Sequence, residues 1–129
     1  MKDLPGLLPD SGQSAFSYVV SGFTVVEFHG EIDVATGPGV RPHLDAATAL
    51  PGARLIVDLG PATFIDCSAL ALLCRARRRV RARDGTMAVV CTNPWHLRIL
   101  RGAGLGDSFR VVGTVADALI GWIPHQPLS

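Results

Sequence analysis

The chain has 129 residues, one domain's length, with 48% hydrophobic and 18% charged residues. That balance excludes disorder, and no run approaches the roughly 18 uninterrupted apolar residues that a membrane-spanning helix needs. Twelve Lys+Arg against eleven Asp+Glu leave a formal charge of +1, so no global field selects a polyanionic partner. Three cysteines, Cys67, Cys74 and Cys91, without a C-x-x-C pair argue against a disulfide framework. The amino-terminal stretch lacks the basic and long apolar regions of a signal peptide, and a cytoplasmic location is expected.

Residues 1–15, broken by Pro5, Gly6, Pro9 and Gly12, read as an irregular arm. The domain proper is expected over 16–123, with 124–129 as a tail. Two β-rich runs, 16–21 and 23–28, flank Gly22 and predict an antiparallel hairpin. A helix follows over about 36–50; Pro38 and Pro42 push its regular part to begin near 38–41, because proline is tolerated in the first turn. The apolar run 55–59 predicts a buried central strand. Over 68–83, Ala69, Leu72, Leu73, Ala76 and Val80 recur at spacings of three and four, the strongest helical signal in the chain. A buried strand over 86–91, a helix over 94–102, a strand over 109–112 and a closing helix over 114–122 complete the order β-β-α-β-α-β-α-β-α. Such alternation implies right-handed crossovers: a single α/β domain with a mostly parallel central sheet, an antiparallel edge hairpin and helices packed against the sheet.

Catalytic signatures are missing. The four histidines show no metal-ligand spacing, and phosphate-binding and nucleophile-elbow motifs are absent. Nothing calls for a catalytic residue, a cofactor or a metal, and the chain reads as a non-enzyme.

One segment carries more information. Residues 62–73 join a buried strand to the amphipathic helix through Asp66-Cys67-Ser68. Asp66 and Ser68 both suit an N-cap, and capping alone accounts for either. The functional alternative is that Ser68 projects at a positive helix terminus, where a phosphate meets free N–H donors and a favourable dipole.

Gly30-Glu31-Ile32-Asp33-Val34-Ala35-Thr36, the strand Leu55-Ile56-Val57-Asp58-Leu59, and Phe64-Ile65-Asp66-Cys67-Ser68-Ala69-Leu70-Ala71-Leu72 together resemble the STAS domain, specifically bacterial anti-sigma factor antagonists. The patterns are G-E-[IL]-D-x-x-T, V-x-D-[LM] and D-S-S-G-L-x-x-L. The later 104–109 stretch is similar to the family's G-L-x-x-x-F segment, and the resemblance spans about 16–122. It implies a regulator that binds an anti-sigma factor serine kinase and so frees a sigma factor. The kinase ends the complex by phosphorylating a serine, which falls on Ser68, and a metal-dependent, PP2C-like phosphatase restores it. The same match puts Asp33, Thr36, Asp66, Cys67, Ala69 and Leu70 on the partner-binding surface. Two residues depart from the pattern. Cys67 replaces the first serine, leaving Ser68 the lone hydroxyl, and Ala69 replaces the glycine, adding a methyl group where a kinase would approach.

Two other functions compete: an unphosphorylated STAS scaffold of a lipid-transport or stress-signalling assembly, and a nucleic-acid binder using the arginine-rich helix. Arg75, Arg77, Arg78, Arg79, Arg81 and Arg83 mostly avoid that helix's apolar face and read as a solvated surface or as a dock for an acidic protein. Interleaved aromatics are absent, so direct nucleic-acid binding is the weaker expectation. Asp45, Asp84 and Asp107 read as solvated charges, Cys74 and Cys91 as core residues, and Trp95 and Trp122 as packing residues.

Overall fold

The structure, a computed structural model, describes residues 13–105 and 109–121. Most of the expected arm, the 106–108 part of the glycine-containing segment with Asp107, and Trp122 with the tail lie outside the described residues. Strands β1 (Ala15–Val20) and β2 (Phe23–Phe28) form the expected antiparallel hairpin. Ser21 and Gly22 both take positive φ, 50° and 82°, as a two-residue turn matched to strand twist requires. Helix α1 (Gly37–Ala47) begins at the start of the expected segment and ends before Thr48. Pro42 sits in its second turn, so the helix accommodates a missing N–H that the sequence reading confines to its start.

Strand β4 (Arg54–Asp58), helix α2 (Cys67–Ala82), strand β6 (Thr86–Val90), helix α3 (Pro94–Gly102), strand β7 (Arg110–Val112) and helix α4 (Val115–Gly121) follow the expected order. The five-stranded sheet runs β1-β2-β4-β6-β7, parallel from β2 onward. Side chains alternate across it. Val26, Leu55, Val57 and Val89 face a core built with Val40 and Leu44 of α1, Leu73 and Val80 of α2, and Leu100 of α3. Val25, Ile56, Ala88 and Val90 face the other way, toward Ala118 of α4.

The structure adds two short strands that the sequence reading treats as connections, β3 (Gly30–Ile32) and β5 (Ala62–Ile65). They pair in parallel as a separate two-stranded sheet. Each resumes a parent strand, β2 or β4, after a break. On one side the break is Gly30, at φ 72° with a register shift beside it; on the other it is the 59–61 turn. The Gly30 N–H donates to the Pro61 carbonyl at 3.2 Å, tying the two breaks together. Ile32 and Ile65 pair in register and are buried, so the small sheet is anchored in the main core. Glu31 and Phe64 pair on its exposed side.

Candidate functional site

The register of the small sheet builds the site. Asp33 and Asp66 each stand one residue beyond the Ile32–Ile65 pair, so two aspartates from distant sequence leave neighbouring parallel strands at their carboxyl ends. That is where open α/β sheets present their binding residues. Each aspartate then organises the start of a helix.

Asp33 and Thr36 hold each other. The Thr36 and Ala35 N–H groups donate to Asp33 Oδ1 at 3.1 and 3.0 Å, and the Asp33 N–H donates to Thr36 Oγ1 at 2.9 Å. The Thr36 hydroxyl donates to the Glu31 carbonyl at 2.7 Å. This reciprocal pattern has the logic of a capping box, and it explains the D-x-x-T spacing. The Thr36 N–H, then the Ala35 N–H and the Thr36 hydroxyl, stabilise the carboxylate and hold the Asp33 pKa below its ordinary value.

Asp66 resolves the capping question at α2. Its backbone is extended (φ −136°, ψ −162°), and its Oδ1 accepts the Ser68 N–H at 2.8 Å. Ser68 is therefore the second helical residue rather than the cap. Its side chain is half-buried and lines a groove between α1 and α2 with a volume of about 960 Å³. Asp33, Val34 and Gly37 border the same groove, whereas Asp66 and Thr36 stand outside its lining.

The remaining candidates separate by exposure. Cys67, at the first helical position, is exposed. Leu70 is half-buried and packs on the core. Ala69 is fully buried beside the core residues Leu73 and Ala76. The expectation that its methyl group meets an approaching kinase is thereby corrected: at this point of the helical repeat the side chain faces the sheet. Two large apolar residues escaped the sequence reading, Val34 (79% exposed) and Phe64 (48% exposed). Both sit inside the quoted motifs, Phe64 next to the buried Ile65 and Val34 next to Asp33.

The arginine-rich helix is not a uniform solvated face, and Asp45 is not a solvated charge. Arg75 donates through Nε and one terminal nitrogen to the two carboxylate oxygens of Asp45, both at 3.1 Å. Arg79 donates to Thr48 Oγ1 at 2.8 Å and to the Asp45 carbonyl at 3.2 Å, and Arg83 donates to the Ala49 carbonyl. Spaced four apart, these three side chains form one ladder that satisfies the carboxyl end of α1. The hydrogen bond from Arg75, followed by the nearby charges of Arg75, Arg79 and Arg41, lowers the Asp45 pKa against the opposing effect of burial. Trp95 also departs from expectation: it is 68% exposed, with the Arg98 guanidinium 5.4 Å from its ring centre.

A model of the STAS domain matches residues 17–118. The chain belongs to the STAS family. This STAS domain is 32% identical over 98 residues to the anti-sigma-F factor antagonist RsfA of Mycobacterium tuberculosis, covering 74% of this chain and 76% of RsfA. Its fold superimposes on an anti-sigma factor antagonist from Mycobacterium paratuberculosis with a TM-score of 0.74 and 27% identity, over 82% of this chain and 90% of that one. It also shares its fold with the Bacillus cell fate determinant SpoIIAA in the phosphorylated form, at a TM-score of 0.65 and 21% identity, over 82% and 96%. Anti-sigma factor antagonists are non-enzymatic regulators, which agrees with a sequence that carries no catalytic signature. Among the described residues, no helix of this STAS domain is long and apolar enough to cross a membrane, and no His/Cys/Asp/Glu group is arranged to hold a metal ion.

Proposed function

We propose that this protein is an anti-sigma factor antagonist that binds an anti-sigma serine kinase, frees a sigma factor, and loses its partner when Ser68 is phosphorylated. The observation that carries this reading is the position of Ser68. Its hydroxyl sits in the first turn of α2, on the groove lining that Asp33 also borders and next to the Asp66 cap. A phosphate there brings about −1.5 to −2 charges to a surface that already holds two carboxylates. The helix terminus stabilises the modified serine within the domain, while repulsion and desolvation act on the interface. The relationship to RsfA supports the class of partner, and the phosphorylated form of SpoIIAA is consistent with the modification.

Asp33, Thr36 and Asp66 then have two roles. They fix the local backbone, and they set the charge of the surface that the kinase meets. Cys67 and Leu70 complete that surface, and a PP2C-like phosphatase regenerates the binding form. The test is incubation of the protein with its cognate kinase and ATP, followed by mass spectrometry. Modification is expected at Ser68 and absent in Ser68→Ala. Ser68→Ala should hold the kinase in the presence of ATP, and Ser68→Asp should bind it weakly. Equal binding by the two variants refutes the charge switch.

A further inference from the structure

The arginines on and around α2 do two different jobs. Arg75, Arg79 and Arg83 are committed to the end of α1. Arg41 and Arg78 are exposed, and both line the groove that opens at Ser68. Arg78 has no ion-pair partner among the described residues. Arg41 approaches Asp45 only at 3.6 Å, and that carboxylate already holds Arg75 and lies 3.7 Å from Arg79. Along the groove lining, Arg41, Arg75 and Arg78 stand against Asp33 and Asp45, an excess of one positive charge, and with Asp33 at the Ser68 end the cations lie toward Arg78. Between these cations the groove surface is apolar, formed by Val34, Pro38, Pro42, Ala71 and Leu72.

We infer that this groove docks an amphipathic helical segment of the protein partner, with acidic residues flanking its apolar stripe, and that Arg41 and Arg78 select it. The inference rests on the reading of Ser68 as part of a docking surface and names what that surface takes. Ser68 to Arg78 spans ten residues of α2, about 15 Å, which matches roughly three turns of an incoming helix. Apolar anchors fill the floor while carboxylates meet the two rim cations, a helix-in-groove arrangement. Nucleic acid fits less well, because the two exposed cations sit around an apolar floor rather than along a phosphate path. The arrangement also explains how one modification discriminates. A phosphoserine at the head of the groove lies too far from Arg78 to be neutralised by it and repels the same acidic segment that the arginines attract.

The test uses the full chain and three synthetic 15-residue helical peptides with one leucine stripe, flanked by Glu, Gln or Lys. Backbone amide shifts of Val34, Leu72 and Arg78 are expected to move with the Glu peptide and not with the Lys peptide. Affinity for the Glu peptide should fall about tenfold in R41E/R78E, and that variant should gain about tenfold for the Lys peptide. R41Q/R78Q should lose about threefold and serves if the double reversal does not fold. Several results overturn the assignment: no shifts at millimolar peptide, shifts confined to α3 around Trp95, affinity indifferent to both arginines, or a 20-base-pair DNA duplex bound more tightly than any peptide and released by R41E/R78E. Ser68→Asp should weaken the Glu peptide about threefold to tenfold. If it does not while R41E/R78E does, the groove stands and the switch at Ser68 falls.

Discussion

Phosphorylating Ser68 places about −1.5 to −2 charges on the second residue of α2, and two effects on the fold oppose each other. The helix terminus favours a nearby negative charge by about 0.3–1 kcal/mol each. Asp66, whose carboxylate is bound to the Ser68 N–H, opposes it. For two charges against one at roughly 6 Å in water, the repulsion is about 1–1.5 kcal/mol. The half-buried side chain of Ser68 borders an open groove, so the phosphate reaches solvent without disturbing the core beneath Ala69. The net change in stability is therefore within about 1 kcal/mol, which for a chain of this size moves Tm by less than about 4 °C. Partner affinity should change much more, by the roughly 5- to 150-fold that a coupling of about 1–3 kcal/mol gives. Calorimetric melting of phosphorylated and unmodified protein, alongside titration calorimetry with the kinase, measures both quantities on the same samples. A Tm drop of more than about 10 °C on phosphorylation would refute the argument, since the switch would then operate by unfolding the helix start.

Asp45→Asn and Arg75→Gln are each expected to lower Tm by about 4 °C, and a double-mutant cycle should return a coupling near 1 kcal/mol; coupling under about 0.3 kcal/mol would show that the ladder is ornamental. Because the Asp45 and Asp33 pKa values lie below the ordinary carboxylate value of 3.8, their stabilisation is present above that pH and is lost as pH falls through the folded-state values. Urea titrations from pH 6 to pH 2 should show this loss, reduced in Asp45→Asn. His96 is buried, with Nδ1 unpartnered, and burial holds its pKa below the ordinary 6.5. The unfolded chain then binds the extra proton first, so stability should fall as pH drops below 6.5, and His96→Gln should flatten that slope in urea titrations between pH 8 and pH 5. Ala69→Gly should cost about 1 kcal/mol through lost helix propensity and core contact while leaving the phosphorylation rate unchanged; faster phosphorylation would mean that the methyl group does obstruct the kinase.

The fold was legible wherever periodicity was long. Ala69, Leu73, Ala76 and Val80 announce α2, and all four are buried against the sheet. The runs around Leu55–Leu59 and Met87–Cys91 announce β4 and β6 because a parallel central strand is apolar on both faces. What escaped was short or long-range. Strands β3 and β5 hold three and four residues, too few for a period, and their pairing follows from a kink at Gly30 and a turn at Pro61 that meet only in three dimensions. The identity of the α2 cap was undecidable locally, since Asp66 and Ser68 are both good caps, and only the extended backbone of Asp66 separates them. The arginine ladder escaped for a different reason: charge spacing on one helix does not reveal which cations a neighbouring helix end will claim.

The two aspartates are set at neighbouring strand ends by register, but register alone does not fix the helices that leave them. Helix α1 departs just beyond Asp33 and α2 just beyond Asp66, and the Arg75–Asp45 and Arg79–Thr48 bonds tie the two near the far end of α1. Paired at the sheet and bonded again near the end of α1, the helices cannot splay without breaking one set of contacts. The groove between them, with Ser68 at its head, is thus held open by the sheet at one end and by the ladder at the other. On the proposed switch, a charge added at Ser68 would act on a preorganised surface, and its expected effect is on the partner's affinity rather than on the width of the groove. This is the arrangement that a reversible regulator needs, because the unmodified form must return without refolding once the phosphate is removed.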